Sequence, residues 1–134
     1  MIHLDTSFAV DLLREARRRR PGPAMALRSS LEHEVVSICV HAVCELLAGA
    51  ELSASPAEER RRVLALCDAV NVVYPDERFA PAYGHLQASL QRTGRLVGTM
   101  DLLIATAAIV DSAPLVTRNE KEFRRVPGLR VIEY

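Results

Sequence analysis

The chain has 134 residues, and its 17 basic and 17 acidic side chains give a formal net charge of zero. A length of this order suits one domain, so we expect residues 1–134 to form a single domain. A neutral balance gives no compositional sign of a nucleic-acid partner. No apolar run reaches the roughly 20 residues that a membrane span requires. No signal peptide is predicted either, because Asp5 and Asp11 interrupt the apolar start of the chain. We therefore expect a cytoplasmic protein that does not associate with a membrane.

Taken in chain order, the predicted elements are a strand at 2–4, helices at 6–15 and 24–33, a strand at 35–38, helices at 40–52 and 56–69, a strand at 70–73, helices at 76–92 and 100–110, a strand at 115–117, a helix at 119–125 and a strand at 130–133. Thr6 and Thr99 are the predicted helix caps. Strands that alternate with helices predict parallel βαβ units with right-handed crossovers. The strands are continuous apolar runs, which is typical of an α/β sheet covered on both faces.

Three cysteines occur in the sequence, Cys39, Cys44 and Cys67, and none belongs to a CxxC pair. Each lies among apolar neighbours. An odd number of cysteines without a framework is typical of a reducing compartment. We expect all three to be buried thiols.

Three carboxylates lie in apolar segments, where an unpaired charge is unfavourable. Asp5 follows the first strand, Glu45 lies inside an apolar helix and Asp101 begins another one. These two helices are apolar nearly all round, which predicts that both are buried. No Lys or Arg lies within helical reach of Glu45 or Asp101, so neither acid has a local ion pair.

The topology predicts where two of these acids meet. If the first and fourth strands are neighbours, Asp5 and Asp101 face each other across the crevice where strand order reverses. Like charges in such a place raise one another's pKa, and a divalent cation relieves the repulsion. Oxygen ligands alone favour a hard cation such as Mg²⁺ or Mn²⁺.

Each acid also has a purely structural interpretation. Asp5 has the residue type of a helix cap, and Asp101 lies in a first helical turn, where the helix dipole stabilises a negative charge. Glu45 could point to solvent from a partly exposed helix.

The acids lie in segments that occur in a fixed order along the whole chain: residues 1–7 (MIHLDTS), the helix around Glu45, 98–105 (GTMDLLIA), 115–123 (LVTRNEKEF) and 126–131 (VPGLRV). This ordered set resembles the PIN-domain nucleases, and specifically the VapC-type toxins of type II toxin–antitoxin pairs. The resemblance implies an α/β/α sandwich around a central, mainly parallel five-stranded sheet. It also implies Mg²⁺-dependent endoribonuclease activity (with Mn²⁺ as a substitute), a cognate small antitoxin protein and a homodimer.

Residue roles follow from the same resemblance. It assigns Asp5 and Asp101 as metal ligands and catalytic acids, Glu45 as the third catalytic acid and Thr6 as a supporting residue near the metal.

A fourth acidic residue is common in the family, near the segment that follows Thr117, and this sequence departs from that pattern. That position is occupied here by Asn119, with Glu120 and Glu122 nearby. Two interpretations are open: Asn119 binds a water rather than the metal, or Glu122 takes the place of the fourth acid. The number of metal ions, one or two, is also open.

The predicted chemistry is hydrolysis of RNA phosphodiesters by a metal-activated water. A histidine-based ribonuclease is a rival, and His41, one helical turn before Glu45, is the histidine to compare; packing is its simpler interpretation. An aspartyl phosphatase is disfavoured because Ser7 occupies the position of the usual second Asp. The remaining alternative is a catalytically inactive PIN-like module that binds RNA or protein, which the intact acids argue against.

Overall fold

The computed structural model describes residues 1–134, and its elements pack around one sheet. The elements are β1 Ile2–Leu4, α1 Thr6–Arg18, α2 Pro23–Ser30, β2 Val36–Cys39, α3 Val40–Glu51, α4 Pro56–Ala69, β3 Asn71–Val73, α5 Phe79–Arg92, α6 Thr99–Val110, β4 Leu115–Val116, α7 Glu120–Phe123 and β5 Val131–Ile132. The strand order is β3-β2-β1-β4-β5. Every pairing is parallel, which confirms the predicted α/β class and five-stranded sheet.

The central strand is β1, and its neighbours fix where a ligand can approach. His3 lies opposite Ser37 of β2 and opposite Leu115 of β4. The chain first builds the sheet outward through β2 and β3, and then returns to the other side of β1 with β4. Strand order therefore reverses between β1 and β4, and the crevice outside their carboxyl ends is the expected ligand position.

Apolar burial on both faces holds the sheet in place. Every residue of β1, β2 and β4 is buried. Phe8 of α1 and Phe123 of α7 are fully enclosed, and aliphatic side chains make up most of the remaining core. None of the helices combines the length and the apolar character that crossing a membrane requires.

Several local predictions were wrong. Neither Thr6 nor Thr99 caps a helix, because each is the first helical residue. No side chain of the N-cap residue caps the N-terminus of α1 or of α6. Helix α1 extends three residues past its predicted end to Arg18, since basic residues stabilise the last turn of a helix.

The expected burial of α3 and of the thiols was also only partly correct. Residues 44, 48 and 49 of α3 are exposed, because only one side of this helix faces the core. Cys39 is buried, but Cys44 is exposed and Cys67 is half-buried.

A carboxylate from a neighbouring helix caps α2. Glu15 accepts hydrogen bonds from the backbone N–H groups of Gly22 at 2.7 Å, Ala24 at 3.1 Å and Met25 at 2.9 Å. No residue of α2 or its N-cap supplies this cap from within the local sequence. A Cβ at position 22 would lie 2.9 Å from the Glu15 carboxyl group, so a larger residue there would displace this carboxylate from its present position.

We predict that Glu15→Ala lowers the free energy of unfolding by about 1–3 kcal/mol, because three N–H groups lose their acceptor. Glu15→Gln keeps one acceptor oxygen, so its loss should be smaller. Urea denaturation measures both. Glu32→Ala removes an exposed carboxylate whose only ion pair is with exposed His33, and this control should leave stability unchanged. A loss from Glu32→Ala equal to that from Glu15→Ala would refute the cap.

Candidate active site

Asp5 lies at the carboxyl end of the central strand and is held by two hydroxyl groups. Its side chain is buried, and Oδ2 accepts hydrogen bonds from Ser7 Oγ at 2.8 Å and Thr117 Oγ1 at 2.6 Å. Although Asp5 occupies the N-cap position of α1, its side chain makes no capping hydrogen bond. The helix-cap interpretation of Asp5 is therefore excluded, and its carboxylate is oriented toward β4 instead.

Glu45 is joined to the same region through Thr6. Thr6 Oγ1 donates a hydrogen bond to Glu45 Oε1 at 2.6 Å, which connects the first turn of α1 to the middle of α3. Glu45 is half-buried rather than directed wholly into solvent. The hydroxyl of Thr6 therefore holds an acid, where the sequence suggested a helix cap.

Asp101 lies in the first turn of α6, at the meeting point of the other acids. Burial is the largest of the causes that raise the pKa of Asp101 from its usual 3.8 to about 7. The negative charges of Asp5, Glu122 and Glu45 add to the effect, as does a hydrogen bond with Glu122. Four carboxyl groups from α1's cap position, α3, α6 and α7 thus lie within electrostatic range of one another.

Glu122, rather than Glu120, is the further acid beside Asp101. Its Oε1 accepts from the Gly98 N–H at 3.1 Å and its Oε2 accepts from Asn119 Nδ2 at 3.0 Å. These donors, with the backbone bond to Gly98 contributing most, lower the pKa of Glu122. Glu120 points away, toward Arg124 and Glu133. Asn119 therefore supports the acidic cluster through Glu122.

Two hydroxyl residues of the site, Ser7 and Thr117, were not predicted as functional. Thr117 is fully buried, donates to Asp5 and accepts from the Asn119 N–H at 2.9 Å. Ser7 also accepts from the Arg118 N–H at 3.1 Å. The sequence could have indicated these two residues only by their positions. Ser7 follows Asp5 by two residues, and Thr117 ends an apolar strand predicted to neighbour β1.

The donor chemistry of this cluster fits a hard divalent cation. All of the converging groups are carboxylates, which suit Mg²⁺ and Mn²⁺. No group of three or more His, Cys, Asp or Glu side chains is arranged to hold a metal ion by itself. Mg²⁺ usually binds one or two carboxylates and retains several waters, so a two-carboxylate site is compatible with this arrangement.

Histidines lie outside the acidic cluster. The ring of His41 stacks on Phe79 with centroids 5.5 Å apart, and its buried Nδ1 has no hydrogen-bond partner. The ring of His3 is buried and bonds to Asp111 at 2.7 Å. Neither arrangement presents a pair of histidines for acid–base chemistry.

Comparisons with known proteins agree with this geometry. The model of the PIN domain family matches residues 2–129. Ribonuclease VapC1 of Haemophilus influenzae (strain R2866) is 38% identical over 130 residues, which cover 95% of this chain and 92% of that protein. The tRNA(fMet)-specific endonuclease VapC of Shigella flexneri is 34% identical over 99 residues, covering 72% of this chain and 75% of its own length.

Solved structures show the same fold. A chain in the crystal structure of VapBC2 from Rickettsia felis, bound to a DNA fragment from its promoter, superposes with a TM-score of 0.91 at 26% identity. That match covers 100% of this chain and 99% of the other. VapBC-1 from nontypeable Haemophilus influenzae gives a TM-score of 0.85 at 31% identity, with coverage of 99% and 98%.

We predict that the metal-free protein, held in chelator, loses stability as the pH rises through about 7. The raised pKa of Asp101 means that the folded state holds a proton that the unfolded state releases near 3.8. This contribution is therefore complete below the unfolded pKa and is lost above the folded one. Thermal midpoints at about pH 5.5 and about pH 8 measure the change.

Asp101→Asn should remove most of this pH dependence, whereas Asp68→Asn, at an exposed position on α4, should retain it. An equal dependence in wild type and Asp101→Asn would show that another group titrates.

Proposed function

The chain belongs to the PIN-domain family, and we propose that it is an RNA-cleaving hydrolase, the Mg²⁺-dependent toxin of a type II toxin–antitoxin pair. The observation that carries the proposal is the convergence of Asp5, Glu45 and Glu122 on Asp101, whose pKa is raised to about 7. The identity to ribonucleases named VapC supports the same activity. A module that only binds RNA has no need of an arrangement in which acids repel one another.

Asp5 and Asp101 are the proposed metal ligands. Ser7 and Thr117 occupy only Oδ2 of Asp5, so Oδ1 is free of hydrogen bonds within the protein. The two hydroxyl groups fix the plane of the carboxylate before any ligand arrives, which reduces the entropy lost on binding. A bound Mg²⁺ would supply an activated water and stabilise negative charge that develops on the phosphate.

The remaining acids have separate proposed roles. Glu45 keeps Oε2 free while Thr6 holds Oε1, so this carboxylate can orient a water or accept its proton. Glu122 is the proposed fourth acid of the cluster, with Asn119 as its support. Glu120 is assigned no role in catalysis.

We predict that the purified toxin, freed of any antitoxin, cleaves RNA when Mg²⁺ is present and not when it is chelated. Asp101→Asn should reduce the rate by roughly 100-fold or more, since removal of one group that stabilises transition-state charge has an effect of this size. Gel analysis with transfer RNA and total cellular RNA provides the measurement, because a Shigella relative is named for transfer RNA.

The control for this assay is Glu120→Gln, which should retain full activity, whereas Glu122→Gln should lose it. Cleavage that persists in chelator would contradict the metal mechanism. Cleavage of no RNA by a folded protein would favour the binding-module alternative.

An apolar groove across three helices is the proposed antitoxin surface. The groove has a volume of about 360 Å³, and α1, α2 and α4 contribute to it through residues that include Leu12, Met25 and Ala65. Arg28 and Arg62 lie in the same lining, and Arg62 Nε also forms ion pairs with Glu58 at 3.6 Å and Glu59 at 4.0 Å. A partner segment with apolar and acidic side chains is complementary to such a surface.

We predict that Ala65→Glu weakens antitoxin binding by roughly tenfold or more, because a charged side chain would fill the groove and repel acidic partners. RNA cleavage by the free toxin should not change. The matched control is Leu64→Glu, at an exposed adjacent position that does not line the groove. Calorimetry with the antitoxin encoded beside the toxin gene measures both. Equal affinities for wild type and Ala65→Glu would exclude this groove.

The proposal also includes a single domain over residues 1–134, a homodimer and a cytoplasmic location. Exposed apolar side chains support self-association, among them Leu52, which is 88% exposed, and Tyr74, which is 68% exposed.

A further inference from the structure

Asp11 on α1 holds two arginines and a tyrosine beside the acidic cluster. Arg118 Nη1 donates to both of its carboxylate oxygens, at 2.8 Å and 3.0 Å, and Arg14 Nη1 donates to Oδ1 at 3.2 Å. The hydroxyl of Tyr134, the last residue, donates to Oδ2 at 2.5 Å. The side chain of Asp11 is only 12% exposed, so this carboxylate is a nearly enclosed anchor for the group.

Tyr134 is itself fixed in position. Its ring meets Phe8 edge to face at a centroid distance of 4.8 Å. Burial, followed by the hydrogen bond to Asp11, raises the pKa of Tyr134, so the phenol remains a donor at any physiological pH. The C-terminal residue therefore restricts the rotamer of Asp11, and Asp11 in turn restricts Arg118.

Arg118 is tied to the active site through its backbone as well. Its N–H donates to Ser7 Oγ at 3.1 Å, and the same hydroxyl donates to Asp5 at 2.8 Å. Its side chain is nevertheless 56% exposed. Only Nη1 bonds to the protein, so Nε and Nη2 are available to a ligand.

The charges of Arg14, Arg118 and Asp11 sum to a positive value, and this group lies beside the negatively charged acidic cluster. Arg14 and Arg118 share one carboxylate, which leaves one net positive charge at the edge of the site. An RNA strand must bring several phosphates close to four acids, and a fixed cation next to them offsets part of the repulsion. A guanidinium with two free donors matches the oxygens of a phosphate.

We propose that Arg118, oriented by Asp11 and Tyr134, forms a binding subsite for an RNA phosphate adjacent to the scissile one. The inference rests on the proposed ribonuclease function. Arg14 adds positive charge to the same subsite. The rival explanation is a tie that only fastens the C-terminus to α1, which would affect stability and not RNA.

The test compares KM and kcat for RNA cleavage over a series of KCl concentrations. Arg118→Gln should raise KM about tenfold with little change in kcat, because a charge-assisted contact to a phosphate outside the reacting bond is lost. The slope of log(kcat/KM) against log[KCl] should become shallower by about 0.7, the value for one phosphate contact on a single strand. Urea denaturation of each variant reports stability separately.

Two further variants sharpen the result. Tyr134→Phe keeps the charge of Arg118 but removes one of the donors that hold Asp11, so KM should rise less and the salt slope should stay that of wild type. The matched control is Arg61→Gln, which breaks an exposed ion pair with Glu58, three residues away like Arg14 and Asp11. Neither KM nor the slope should change in this control.

A change of stability in Arg118→Gln with unaltered KM and salt slope would overturn the subsite and support the C-terminal tie. A fall in kcat at constant KM would also overturn it. If the wild-type protein cut no RNA, the proposed function would fail by itself. Fluorescence anisotropy with Asp101→Asn as the parent would then decide the subsite: a salt slope of RNA binding that Arg118→Gln leaves unchanged would exclude it.

Discussion

Repulsion among carboxylates is the constraint that shapes this end of the molecule. Asp5, Glu45 and Glu122 each receive hydrogen bonds from hydroxyl, amide or backbone donors. Asp101 receives none of these, and its contact is with Glu122, another acid. Burial, and then repulsion from the other three acids, raises the pKa of Asp101 to about 7, so this carboxyl group holds its proton up to about that pH. A divalent cation that replaced this proton would be compensated by acids already in place.

The sheet creates this repulsion by its order of strands. Because β1 lies between β2 and β4, the chain segments that leave its carboxyl end meet those that leave β4. Asp5 and Thr117 are the first residues beyond these two strands, and they bond to each other at 2.6 Å. The hydrogen bond therefore joins the two halves of the fold and also orients the carboxylate of Asp5. Burial of every residue in these strands leaves their ends little freedom to move.

The sequence predicted the elements and the main acids because both depend on local pattern. Apolar runs located all five strands within two residues, and carboxylates in apolar segments marked Asp5, Glu45 and Asp101. The sequence left open which of Asn119, Glu120 and Glu122 lies beside Asp101, since the position of Glu122 depends on the Gly98 N–H, 24 residues away. The predicted helix cap at Thr6 was wrong for a similar reason, because its hydroxyl bonds to Glu45 on another helix. The cap of α2 also comes from a distant segment, Glu15 of α1. Contacts between distant segments leave no periodic signal in one sequence.

A formal net charge of zero conceals a separation of charge that matters for binding a polyanion. Four of the 17 acids are gathered where strand order reverses. Arg14 and Arg118 lie beside this cluster, and more than two-fifths of each side chain is exposed. An acidic centre alone would repel RNA, and a basic surface alone would bind it without positioning any bond. The backbone N–H of Arg118 is one hydroxyl away from Asp5, and its guanidinium is held by Asp11. On the proposed function, this arginine would position the RNA strand while the acids bind the metal. The proposed subsite also explains why Asp11 and Tyr134 would hold this arginine: an unrestrained guanidinium could turn inward and pair with the carboxylates of the cluster.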